Sequence, residues 1–142
     1  MYTCQKADEY IEKNRVDRAD KPEFHLTTPV GWLNDPNGFS IYGGKAHLFY
    51  QFHPYSTEWG PMHWGHSTSD DFIRWEELPT ALAPDSDYDA FGCFSGTAIE
   101  NDGKHVLFYT GVVEEKLADG TKNVIQNQCM ACLLYTSDAA DE

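Results

Sequence analysis

The chain repeats itself. "GFSIYGGKAHLFYQ" (Gly38 to Gln51) and "GTAIENDGKHVLFYT" (Gly96 to Thr110) each begin at a glycine, place Ile three residues on, turn through glycine to a lysine, and end in Leu-Phe-Tyr. The offset is 58 residues at the first glycine and 59 at the tyrosines. A fixed period of this kind marks a supersecondary unit that buries its apolar face by stacking on a neighbouring copy. The turns "YGGK" and "NDGK" suit tight hairpins, because glycine tolerates positive φ. Between the copies lie "MHWGHSTS" (Met62 to Ser69) and "RWEEL" (Arg74 to Leu78), which read as the third and fourth strands of the unit. Four antiparallel strands per unit predict an all-β chain made of the blades of a β-propeller arranged around a central channel. Two units are present, and two do not close such a ring.

Both ends of the chain read differently from this middle. Residues 7–19, "ADEYIEKNRVDRA", carry helix formers and a thin apolar stripe at Tyr10, Ile11 and Val16, which predicts a short surface helix in a leader spanning residues 1–21. After Pro22 the composition turns aromatic, β-branched and glycine-rich, and the helical period is lost. From Cys132 the stretch "CLLYTSDAADE" leaves the blade pattern and resembles the translation of a sequencing adapter, so residues 22–131 form the expected blades and residues 132–142 a non-native tail.

The net charge of −13 becomes −10 when the tail's Asp138, Asp141 and Glu142 are set aside. Either value opposes binding to nucleic acid or an anionic membrane surface. No run approaches the roughly 18 apolar residues of a membrane span, and the first twenty residues hold no apolar signal core, so a cytoplasmic protein is expected. Cys4, Cys93, Cys129 and Cys132 are too unevenly placed for a disulfide framework. The C-x-x-C at Cys129 and Cys132 lacks a second ligand pair, so no metal site and no cofactor are expected.

In a propeller the first strand of each blade lines the axis, so "WLNDPN" and "FGCFS", which precede the two first strands, gather at one mouth of the channel. Asp35 lies there between Asn34 and Pro36, with Asn37 and Gly38 completing an expected turn. Such a carboxylate suits catalysis, and N-D-P-N-G equally suits a plain Asx turn. Trp32 offers a face for a sugar ring or for the core. Gln51, at a strand end, is either solvent-facing or a hydroxyl ligand, whereas Trp59, in a Gly/Pro loop, favours binding. Trp64 reads as core. His63 and His66, three apart on a strand, point to opposite faces and read as structural. Ser95 has no adjacent base and is a better ligand donor than nucleophile. No phosphate loop, nucleophile elbow or H-E-x-x-H helix occurs.

"HLTTPVGWLNDPNG", "GKAHLFYQFHP", "WGPMHWGHSTSDDFIRWEELPTALAP" and "FSGTAIENDGKHVLFYTG" together resemble the N-terminal part of glycoside hydrolase family 32, the β-fructofuranosidase group, over roughly residues 22–131. The W-x-N-D-P-N-G motif is specific to it. The resemblance implies the first blades of a five-bladed propeller. It implies Asp35 as the nucleophile on a terminal β-fructofuranosyl unit, with Trp32, Leu33, Asn34, Gln51, Trp59, Phe94 and Ser95 around the sugar. Leu33 stands where methionine is also usual, a volume-conserving change. The partner would be sucrose, sucrose 6-phosphate or a fructan, and the leader without a signal is similar to intracellular sucrose and sucrose-6-phosphate hydrolases. The family draws its acid/base from a Glu-Cys motif and a stabilising aspartate from Arg-Asp-Pro. Neither occurs here, since Glu100, Glu114 and Glu115 are not followed by Cys. These 142 residues alone are therefore expected to be inactive. Another five-bladed glycosidase or fructosyltransferase related to this family, a non-catalytic carbohydrate-binding protein and a two-blade structural module are the competing readings.

Overall fold

The computed structural model describes residues 1–133. It contains two antiparallel sheets and one α-helix. Sheet one has the order β1 (Trp32–Tyr42), β2 (Lys45–His53), β3 (His63–Ser69), β4 (Glu76–Leu82). Sheet two has β5 (Gly92–Asn101), β6 (Lys104–Lys116) and β7 (Lys122–Leu133). Each is a meander, and β1 and β5 lie side by side where the two blades meet. The fourth strand of the first blade starts two residues later than "RWEEL" suggests and runs on to Leu82. Asp71 explains the delay, for its carboxylate collects the backbone N–H groups of Ile73 and Arg74 and holds that stretch in a turn.

The helix also shifts. α1 covers Cys4–Asn14, not residues 7–19, because Thr3 caps its start by accepting from the Lys6 N–H at 3.2 Å. Backbone at Arg15 is already non-helical, and Arg18–Asp20 form a separate 3₁₀ turn capped by Asp17. α1 docks through Ile11, which packs with Tyr50, Phe52, Leu26 and Val30 on one face of the first blade. Asp8 fastens it further by accepting from both the N–H and hydroxyl of Thr80.

The main core sits between the blades, where Phe49, Trp64 and Leu82 meet Cys93, Ala98, Leu107 and Tyr109. β2 alternates faces, sending Phe49 into this seam and Tyr50 and Phe52 toward the helix, so it is buried on both sides. Trp64 is fully buried, and its indole N–H donates across the seam to the Phe94 carbonyl at 3.2 Å. His63 and His66 are both buried, and the four cysteines are free thiols. β7 continues through Cys132 and Leu133, which pair with Val106 and His105. The remainder of the expected non-native tail, residues 134–142, lies outside the described residues.

Candidate active site

Asp35 is not in a turn before the strand. It lies inside β1, at a bulge: Leu33 pairs with Phe52 and Pro36 with Tyr50, so Asn34 and Asp35 together oppose the single residue Gln51. Pro36 has no N–H to give the ladder, which makes a bulge the natural accommodation for N-D-P within a strand. A second irregularity follows between Asn37 and Ser40, where Gly38 takes φ +53 and packs so closely that a Cβ would stand 2.8 Å from the Phe49 ring. The neighbouring blade answers with its own bulge, since Phe94 pairs with Thr110 and Gly96 with Tyr109, leaving Ser95 as the extra residue.

The two bulges face one another. Ser95 Oγ donates to Asp35 Oδ2 at 3.4 Å, and both residues are exposed. On the other side of Asp35, Asn34 Nδ2 donates to Gln51 Oε1 at 2.8 Å, and Gln51 is buried, not solvent-facing. Phe94, adjacent to Ser95, meets Trp59 edge-on with ring centroids 6.3 Å apart, and Phe91 completes the aromatic group at 5.7 Å from Trp59. Six of the expected site residues thus form one arc: Gln51, Asn34, Asp35, Ser95, Phe94, Trp59. Trp32 and Leu33 precede it on β1, Leu33 partly exposed and the Trp32 indole N–H buried with no hydrogen-bond partner among the described residues.

The surroundings explain why the arc holds its shape. The loop carrying Trp59 is fixed by Pro61, whose carbonyl accepts from Nδ1 of both His53 and His63 at 3.1 and 3.0 Å. A carbonyl only accepts, so both rings carry their proton on Nδ1. Burial holds His63 down at about 4, well below an ordinary imidazole. The Cys93 N–H donates to the Met62 carbonyl at 2.8 Å, tying the Phe94–Ser95 strand to the first blade.

Behind that strand sits Asp89, a fully buried carboxyl that accepts from the Tyr109 hydroxyl at 2.8 Å and the Ser86 N–H at 2.9 Å. Burial, with Asp89 adding to it, pushes the Cys93 thiol and the Tyr109 hydroxyl far up, so neither ionises and both remain donors. Asn37, Asp89 and Phe91 escape sequence reasoning because their roles depend on contacts with other parts of the chain. The bulges had one local signal, a proline and a glycine within an otherwise alternating strand.

Among the described residues no group of three or more His, Cys, Asp or Glu is placed to hold a metal ion. A cavity of about 430 Å³ lined by Arg18, Lys21, Phe24, Arg74, Trp75 and Glu77 opens beside the outer strands and does not include Asp35.

A four-stranded and a three-stranded antiparallel meander packed side by side, with a carboxylate, amides and aromatics where β1 meets β5, have the arrangement of two neighbouring propeller blades. Residues 25–140 match the Glycosyl hydrolases family 32 N-terminal domain, and the chain belongs to that family. It is 50% identical over 112 residues to the sucrose-6-phosphate hydrolase of Zymomonas mobilis, covering 78% of this chain and 21% of that protein. It is 48% identical over 130 residues to the raffinose invertase of Escherichia coli, covering 88% of this chain and 27% of that protein. The chain therefore spans between a fifth and about a quarter of the length of these curated relatives. Among solved structures, the GH32 β-fructofuranosidase BmSUC1 of Bombyx mori superposes with a TM-score of 0.75 at 45% identity, covering 89% of this chain and 27% of that one. The described sheets thus correspond to part of the family's five-bladed propeller.

Proposed function

We propose that this segment is the nucleophile-bearing part of a retaining β-fructofuranosidase that hydrolyses terminal β-D-fructofuranosides, with sucrose or sucrose 6-phosphate as the principal substrates. The observation that carries the reading is the exposed Asp35 carboxylate on a strand bulge, met by the Ser95 hydroxyl of the next blade at 3.4 Å. Support comes from a mutant of the Bombyx mori enzyme solved in complex with sucrose, at 44% identity to this chain.

In this mechanism an Asp35 oxygen attacks the anomeric carbon, the glycosidic bond breaks, and a fructosyl ester forms while an acid protonates the departing oxygen. That same acid, now a base, takes a proton from water, which attacks the anomeric carbon and frees Asp35. Asn34 and Gln51 face the sugar hydroxyls, Trp32 and Leu33 wall the pocket, and Trp59 with Phe94 supplies ring faces. A retaining pair stands about 5–5.5 Å apart, and the second carboxylate is assigned to the parent polypeptide outside these residues.

The test is turnover by the complete reading frame that carries this segment. Sucrose hydrolysis with retained configuration, abolished in Asp35→Ala, supports the proposal. Retained turnover in Asp35→Ala sinks it, and binding without turnover by the complete protein would favour the non-catalytic reading. The 142-residue chain by itself is expected to release no glucose above background.

A further inference from the structure

Bulged strands are easily deformed, so something must fix the direction of Asp35. Asn37 is the residue that reaches both sides of the problem. The residue is 6% exposed. Nδ2 donates to the carbonyl of Asp35 at 3.3 Å, and Oδ1 accepts from the N–H of Gly96 in the adjacent blade, also at 3.3 Å. Gly96 follows Ser95, whose hydroxyl reaches the Asp35 carboxylate. The contacts close a ring: Asp35 side chain, Ser95, Gly96 backbone, Asn37 amide, Asp35 backbone.

The Asn37 primary amide suits the ring because its donor and its acceptor sit on separate atoms. It needs one donor directed along its own strand and one acceptor directed across the seam. Aspartate has acceptors alone and would add a negative charge two residues from Asp35. Alanine provides neither group and leaves the Gly96 N–H and the Asp35 carbonyl without this partner. Close packing of Gly38 against the Phe49 ring and of Gly96 against the Phe108 backbone leaves the strands little room to move closer in compensation.

We propose that Asn37 is a positioning residue: it fixes the Asp35 carboxylate toward the sugar and sets Ser95 of the second blade in register with it. The role rests on Asp35 being the nucleophile. It goes beyond that assignment by making the seam between two blades part of the reacting geometry.

The experiment uses the full-length enzyme carrying this segment, as wild type, Asp35→Ala, Asn37→Ala and Asn37→Asp, with sucrose as substrate and rates normalised to folded protein. A displacement of the nucleophile by an ångström or less costs up to about 100-fold, so Asn37→Ala is expected to lower kcat by about 10- to 100-fold while KM stays within about threefold. Asn37→Asp keeps an acceptor for Gly96 at unchanged size, and so remains informative where the alanine variant does not fold. It is expected to lower kcat and to move the acid limb of the pH profile upward, since a second carboxylate raises the pKa of the first. A purely structural residue would change the folded fraction and leave both the kcat of the folded enzyme and the acid limb where they were; that result overturns the proposal. Failure of the nucleophile assignment shows separately, as turnover that survives Asp35→Ala or is missing from the wild type, and it removes the positioning role with it.

Discussion

Gly96→Ala offers a direct test of the bulge geometry. A Cβ at Gly96 would stand 1.9 Å from the Phe108 carbonyl oxygen, 2.7 Å from the Tyr109 Cα and 2.8 Å from the Phe108 carbonyl carbon. All three are backbone atoms of β6, so no side chain can rotate away, and β5 must part from β6 where Ser95 bulges out. Overpacking against side chains costs about 1–3 kcal/mol, and a backbone collision belongs at or above the top of that range. The displaced strand also pulls the Gly96 N–H from Asn37, a further loss of about 1 kcal/mol. Gly43→Ala is the matched control: φ is +57 with nothing within 4 Å, so only the left-handed backbone is penalised, by about 1–2 kcal/mol.

Pulse proteolysis across a urea series, run at low protein concentration to suppress association, reads both variants. With a urea slope of about 2 kcal/mol per molar, Gly96→Ala should lower the midpoint by about 1.5 M or more, and Gly43→Ala by less than about 1 M. Equal midpoints for the two variants, or a Gly96→Ala midpoint matching wild type, would refute the argument that space and not φ makes glycine necessary at position 96.

Three further outcomes are expected. His63 is fully buried and its folded pKa of about 4 lies below the usual imidazole value of about 6.5, so the unfolded chain binds the extra proton. Its contribution is complete above pH 6.5 and is lost as pH falls toward 4, so urea midpoints should drop across that window and drop less in His63→Gln; parallel pH profiles would count against it. Tyr109→Phe removes the hydroxyl that Asp89 accepts and should cost about 1–3 kcal/mol, with Cys93 becoming more reactive to a thiol reagent; an unchanged midpoint would show that Asp89 is satisfied without it. Among the described strands β7 has a partner on one edge only, and it exposes Val124 and Met130, so the chain should self-associate with rising concentration. A monomer by sedimentation at high micromolar concentration would contradict that.

The sequence was most legible where local pattern and tertiary role coincide. The repeated Gly-to-Leu-Phe-Tyr segments are hairpins in both blades because their turns and alternation are local properties. The ends of elements were less legible, since a side chain next door decides them: Thr3 moved the helix start toward the terminus and Asp71 delayed the fourth strand. At the mouth, motif and repeat together placed Asp35 and Ser95 near each other, and the structure brings them into contact. The expected turn at N-D-P-N-G became a bulged strand because Gln51 on β2 was available to pair with it, a partner that no reading of those five residues contains.

That difference changes how the site works. A carboxylate on a free turn takes its direction from the turn alone, whereas a bulge within a ladder borrows the rigidity of the strands on either side. Here the ladder on one side is β2, through Gln51, and on the other is the seam to β5, through Asn37 and Ser95. The carboxylate remains exposed while Gln51 and Asn37, which hold its flanks, are buried. In the proposed mechanism this division separates the group that would meet substrate from the groups that hold it in place away from water. It also explains why the Asp35 and Ser95 motifs lie one blade apart in sequence: each bulge needs the neighbouring blade to face.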